Sequence, residues 1–202
     1  MEMDELYRQL NQTSIGSVTT ISNTVDNSFF TKILLDDAVQ EEEKLKLLLE
    51  CNDSEELALF LAGRGEKRAK LFKLYMRKFN FSSLDISEAL RSFASKFHIA
   101  GESQQVERIL HQFSERFYES NPTAFCSVDH VNILTNAIVM LNTDLHNLNN
   151  PFKMTRNVFV DRVKQLVDID DVLLKVNYCF DSKRKFILQS KQKYKNANMK
   201  GN

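Results

Sequence analysis

Three features of the sequence predict an all-α fold. Two stretches in its middle repeat one helical apolar spacing. No stretch of useful length alternates apolar with polar residues. The 2 prolines and 5 glycines leave few sites for the tight turns of a sandwich or barrel. The first stripe is Ile86, Ala89, Leu90, Phe93 and Phe97, at i, i+3, i+4, i+7 and i+11. Val106, Ile109, Leu110, Phe113 and Phe117 repeat that spacing. Each gives one apolar face and one polar face, as expected of helices packed on a common core.

Taken in order, residues 1–27 are rich in Ser, Thr and Asn and show no apolar period, so they read as a disordered leader. A helix is expected over about Gln40–Cys51. Asn52, Asp53 and Ser54 then offer N-caps, with Glu55 and Glu56 favouring the positive end of a second helix. That helix is expected to end at Gly63 or Gly65, and a basic amphipathic one follows with Ala69, Phe72, Met76 and Phe79 on one face. The two striped helices come next, separated by Ala100-Gly101-Glu102, where Gly101 suits a reversal at positive φ. Ser120-Asn121-Pro122 closes the second.

From about Val128 to Leu141 the chain is apolar nearly all round, which marks a helix central in the core or one with a second face for a partner. An Asn-rich turn, Asn142 to Pro151, leads to a helix capped by Thr155 and bearing Phe159, Val163, Leu166 and Val167. A last short helix carries Val172, Val176, Cys179 and Phe180.

A chain of 202 residues with 43% hydrophobic content can bury a sizeable core. Cys51, Cys126 and Cys179 are odd in number and widely spaced, which disfavours a disulfide framework or structural zinc. The N-terminus lacks a signal pattern, and Cys126 to Thr143 falls short of the roughly 20 apolar residues of a membrane span. A cytoplasmic location is the expectation. Zero net charge conceals an asymmetry: Ser182 to Asn202 holds seven bases (Lys183, Arg184, Lys185, Lys191, Lys193, Lys195, Lys200) and no acid, leaving −7 on the body. An acidic body argues against nucleic acid as a partner. The tail reads either as a solvated terminus or as a segment lying on an anionic membrane surface.

The usual catalytic constellations are missing. No glycine-rich phosphate loop is present, and His111 with Glu115 at i, i+4 is not accompanied by H-E-x-x-H. No Ser, Cys or Asp stands in a recognisable nucleophile context. No metal and no cofactor are expected.

Two segments do stand out: FHIAGESQQVER, Phe97–Arg108, and MLNTDLHNLNNPFKMT, Met140–Thr155. Together they resemble the two signature segments of the Sec-seven domain, the exchange domain of guanine-nucleotide exchange factors for Arf GTPases. The resemblance runs from about Ser28 to Phe186, with residues 187–202 left as a basic polar tail. It implies a right-handed superhelix of about ten α-helices, a role in vesicle traffic on Golgi or other endomembranes, and no covalent chemistry. Glu102 matches the family's glutamic finger, a carboxylate that enters the GTPase nucleotide site, displaces magnesium and opposes the β-phosphate. The plainer reading of Glu102 is an acid favouring the N-terminus of the next helix.

The resemblance also places Gly101, Gln104, Glu107, Ala137, Val139, Met140, Asp144 and Asn147 at the GTPase contact. Asn147 would meet the switch backbone, and the apolar residues would line a hydrophobic groove. Glu107 keeps the charge of the family's usual Asp. Asp144 is an Asp, as in members that respond to brefeldin A, but Asn136 replaces the Tyr that accompanies it. Ala100 and Leu148 stand in place of family prolines. Asn132 and Asn136 stand where aromatics face the groove, giving a smaller, wetter surface. That departure motivates an alternative: a Sec-seven-like module that holds a small GTPase without exchange.

Overall fold

Seven helices with short breaks make up most of the computed structural model, which describes residues 32, 34–50, 55–99, 101–149, 151–170, 173–175 and 177–178. They are α1 (Glu41–Glu50), α2 (Glu55–Leu61), α3 (Glu66–Met76), α4 (Ile86–Lys96), α5 (Ser103–Ser120), α6 (Val128–His146) and α7 (Arg156–Lys164). Residues 173–175 and 177–178 are also helical, and no strand occurs among the described residues. The fold is all-α. The leader, the Asn52–Ser54 cap cluster, Ala100, the face formed by Val172, Val176, Cys179 and Phe180, and the basic tail lie outside the described residues.

Side-chain caps start the helices where the polar breaks fall. Asp85 accepts from the Glu88 amide at 2.9 Å, Ser127 from His130 at 3.3 Å and Thr155 from Val158 at 3.4 Å. Each satisfies an amide that the first turn leaves without an intrahelical partner. Asn121 ends α5 and donates to the Phe81 and Phe117 carbonyls at 3.0 and 3.2 Å. Its side-chain oxygen also accepts from Ser83, which sits at φ 64°.

Both predicted stripes are core. Ile86, Ala89, Leu90, Phe93 and Phe97 are buried, as are Ile109, Leu110, Phe113 and Phe117, while Val106 is half-buried. Their rings join α3, α4 and α5. Phe93 lies 5.1 Å from Phe79, 5.0 Å from Phe97 and 5.5 Å from Phe113, centroid to centroid, and Phe97 stacks on Phe72 at 5.3 Å. Such pairs add about 0.5–1.5 kcal/mol each beyond the area they bury.

The structure departs from the sequence expectation in three helices. On α3, Ala69 is exposed, whereas Leu71, Leu74 and Tyr75 join Phe72 and Met76 inside. The helix is covered by α1, α2 and α5, so its buried arc is wider than one stripe and rotated away from Ala69. α6 runs five residues beyond Leu141, because Asn142 is buried and Thr143 turns its hydroxyl back onto the Val139 carbonyl at 2.9 Å. α7 ends at Lys164, which leaves Leu166 exposed in the following turn while Phe159, Val163 and Val167 are buried.

The outer face of α3 is tied to its neighbours by ion pairs: Lys67 to Asp37 at 2.7 Å, Arg77 to Glu41 at 3.2 Å and Lys73 to Glu119 at 3.3 Å. The Lys67 hydrogen bond and charge hold the Asp37 carboxyl below its ordinary range. Exposed pairs of this kind orient α3 against the segment before α1, α1 and α5 more than they add stability. The stability resides in the ring cluster. Phe93→Ala should lower unfolding free energy by about 3–5 kcal/mol, read from the urea midpoint at unchanged m.

Candidate functional site

The loop from Phe97 to Glu102 is held at both ends and along its side. Phe97 and Ile99 are buried, fixing the exit from α4. His98, between them, is mostly buried and its Nε2 lies 3.7 Å from a Glu55 carboxylate oxygen at the start of α2. Gly101 has φ +123°, and a Cβ there would sit 2.7 Å from Gln105 Oε1 and 3.0 Å from Leu59 Cδ2. The position therefore demands glycine for its dihedral and for its space.

Glu102 is the N-cap of α5, in extended geometry, and its amide donates to Gln105 Oε1 at 2.9 Å. The Gln105 amide in turn donates to the Glu102 carbonyl at 2.8 Å. Gln105 thus stands at the third helical position and satisfies the amide of the capping residue, while the Glu102 side chain accepts from the Gln105 amide, the reciprocal arrangement of a capping box. The backbone of Glu102 is pinned and its side chain is exposed.

The turn between α2 and α3 supports this loop from the side. Arg108 donates to the Ala62 carbonyl at 2.6 Å, and Arg64 reaches the Gln104 side-chain oxygen. Neither contact has a local sequence signal, since it joins residues 46 and 40 positions apart. They are the part of the site that sequence reasoning missed. Gln105 was legible in principle, through its three-residue spacing from Glu102.

α5 and α6 pack together more extensively than any other pair and are joined by a short connection, so they form an antiparallel hairpin. The start of α5 and the end of α6 therefore share its open end. By this topology Gly101, Glu102, Gln104 and Glu107 lie at the same end of the hairpin as Met140, Asp144 and Asn147. Glu107 is exposed. Met140 is 67% exposed, so it is free to meet a partner, whereas Val139 belongs to the core and Ala137 is half-buried against it.

Beyond α6 the chain folds back on the helix end. Asp144 accepts from the Met154 amide at 2.6 Å, and its carbonyl accepts from Lys153 at 2.9 Å. Lys153 also donates to the Asn147 carbonyl, and the Asn147 side chain accepts from the Asn149 amide at 3.0 Å. This fixes an exposed turn with Leu148 and Phe152 outward, at 98% and 87% exposure.

Asn132 and Asn136 lie farther along α6, about 20 and 15 Å from its end at the ordinary rise per residue. Asn136 donates to the Asn132 carbonyl at 2.8 Å and to its side-chain oxygen at 3.3 Å. Ser114 of α5, bonded to Thr135 at 3.2 Å, also reaches Asn132 Oδ1 at 3.4 Å. The two asparagines are half-buried and form one polar seam with α5. Among the described residues no three His, Cys, Asp or Glu side chains are grouped to hold a metal ion, and no helix is long and apolar enough to cross a membrane.

Residues 8–180 match the family described as the Sec7 domain. Over 154 residues the chain is 36% identical to a Caenorhabditis elegans protein named "Exchange factor for Arf-6", covering 76% of this chain and 18% of that protein. Over 113 residues it is 34% identical to "Brefeldin A-inhibited guanine nucleotide-exchange protein 1" of Arabidopsis thaliana, covering 56% of this chain and 7% of that protein. The chain thus spans less than a fifth of either relative. Among solved structures, it superposes with TM-score 0.64 at 26% identity on the chain of "Structure of ARF1-GDP bound to Sec7 domain complexed with Brefeldin A", covering 75% of this chain and 80% of that one.

Gly101→Ala should break the Glu102–Gln105 bond by crowding Gln105 Oε1. The expected result is a stability loss of about 1 kcal/mol or more, seen in thermal unfolding, and faster hydrogen exchange at the Glu102 amide.

Proposed function

The chain belongs to the Sec7 (Sec-seven) domain family, and from that premise we propose that it is a guanine-nucleotide exchange factor for an Arf-family small GTPase. The observation that carries this reading is Glu102: an exposed carboxylate on a loop whose backbone is pinned by Gly101, Gln105 and Arg108. The relative named for Arf-6 and the solved complex with ARF1-GDP support the choice of partner.

In this reading Glu102 enters the nucleotide site of the GTPase. A negative charge about 4 Å from a phosphate is repelled by roughly 4 kcal/mol at an effective dielectric near 20, enough for about a thousandfold faster release. The same carboxylate offers a substitute partner to the lysine that had held the phosphate. No bond is made or broken. Because Glu102 is fixed before the GTPase arrives, little ordering cost falls on the encounter.

The other contacts follow from the open end of the hairpin. Gln104 and Glu107 flank the finger. Met140 and the edge of α6 at Ala137 receive apolar groups, and the turn at Asp144 and Asn147 meets the switch backbone. Residues 182–202 are proposed to rest on an anionic endomembrane surface, of the Golgi or another compartment, through Lys183, Arg184, Lys185, Lys191, Lys193 and Lys195.

One observation favours a second reading, a module that holds a GTPase without releasing its nucleotide. The amides of Asn132 and Asn136 make the middle of α6 polar and tie it to Ser114. An apolar partner surface would then have to desolvate them. Stable GTPase binding without acceleration would establish that reading.

Release of a fluorescent GDP from a soluble, truncated Arf GTPase should accelerate with the wild-type chain and stay at the spontaneous rate with Glu102→Lys, whose melting temperature should be near wild type. Equal rates for the two proteins would remove Glu102 from the mechanism. Deleting residues 182–202 should slow exchange on anionic liposomes and leave the rate in solution unchanged; equal rates on liposomes would exclude the membrane role.

A further inference from the structure

Arg64 sits in the α2–α3 turn, 38 residues before Glu102 in sequence yet beside the first turn of α5. Its guanidinium donates to the Gln104 side chain, which holds it at the rim of the site. In the turn that delivers it, Gly65 has φ +111°, a conformation that favours glycine. Arg108 fixes the same turn from below through the Ala62 carbonyl.

Of the neighbouring cations, Lys67 pairs with Asp37 and Lys70 with Glu66, while Arg68 lies over the Phe60 ring at 4.8 Å. Arg64 has no acidic partner within ion-pair distance among the described residues, although Glu102 and Glu107 are close in sequence to the glutamine that holds it. A guanidinium has five donors, and one bond to Gln104 leaves most of them available.

Resting on the exchange reading, we infer that Arg64 is a further contact residue of this site, receiving an acidic side chain of the bound GTPase. The surface then alternates in sign, with a cation at the α2–α3 turn and the carboxylates of Glu102 and Glu107 on α5. Such a pattern fixes the register of a partner whose basic group meets the finger and whose acid lies to one side. It acts on encounter and affinity more than on the release step.

The test is fluorescent-GDP release from a soluble, truncated Arf GTPase, followed over a range of GTPase and salt concentrations with the full chain. Arg64→Ala should lower kcat/KM about three- to tenfold at low salt, and Arg64→Glu by roughly tenfold or more, with the saturating rate within about twofold of wild type. Arg64→Lys should keep most of the effect. The loss should shrink as salt rises, because screening removes the same attraction from the wild type.

Wild-type kcat/KM in Arg64→Ala at every salt concentration would overturn the inference. So would an equal fall in the saturating rate at all salt concentrations, since that marks a residue that merely holds the loop. No acceleration by the wild-type chain would instead overturn the exchange reading. In that case the dissociation constant of the GTPase complex decides separately, and an unchanged value for Arg64→Glu would exclude the contact.

Discussion

The site depends on the packing of Phe93 against Phe79, Phe97 and Phe113. This contact locks α4 between the end of α3 and the middle of α5. With both helices fixed, the residues from 97 to 102 have little freedom in where they begin and end. Phe97 and Ile99 are drawn into the core, so the chain must turn sharply to start α5. That turn requires a residue at positive φ with no Cβ, and Gly101 supplies it. The exposed carboxylate of Glu102 is thus a consequence of how phenylalanines pack one helical turn below it.

Polar contacts then refine what the rings establish. Gln105 satisfies the Glu102 amide, and Arg108 fastens α5 to the α2–α3 turn. Each of these bonds contributes on the order of 1 kcal/mol, well below the burial of a phenylalanine. Their effect is on geometry. They remove alternatives to one placement of the loop, which is what the proposed finger would need to act over a few ångströms.

The parts of the fold that were legible in the sequence are those governed by local periodicity. The stripes ending at Phe97 and Phe117 predicted their helices and their buried faces, because a one-sided helix has only one way to meet a core. Ala69 and Leu166 were misplaced for a different reason. α3 is covered by three helices, so its face is chosen by neighbours and not by its own period, and Leu166 follows a helix that ends two residues earlier. Within the site, Gly101, Glu102, Asp144 and Asn147 were carried by motifs. Arg64 and Ala62 were invisible, since nothing local distinguishes a surface arginine or a turn carbonyl from any other. Val139, expected at the groove, lies in the core, while its neighbour Met140 is exposed. One residue of helix rotation separates the two outcomes, and only packing decides it.

The two halves of the site obey different physical demands. In the proposed exchange reading the Glu102 loop needs rigidity, because charge repulsion falls steeply once water can enter between the charges. Its rigidity comes from Gly101, Gln105 and the buried Phe97 and Ile99. The end of α6 and the turn after it need exposure, because an apolar contact gains only from area not already buried. Leu148 and Phe152 lie outward there, on a turn held by Lys153 and Asp144. Asn132 and Asn136 break this division. They are neither pinned backbone nor exposed apolar surface, but amides already bonded to each other and to Ser114. A partner that covers them must match their remaining donors and acceptors or bury them unsatisfied. The middle of α6 is therefore where recognition of a partner can be strict without touching Glu102.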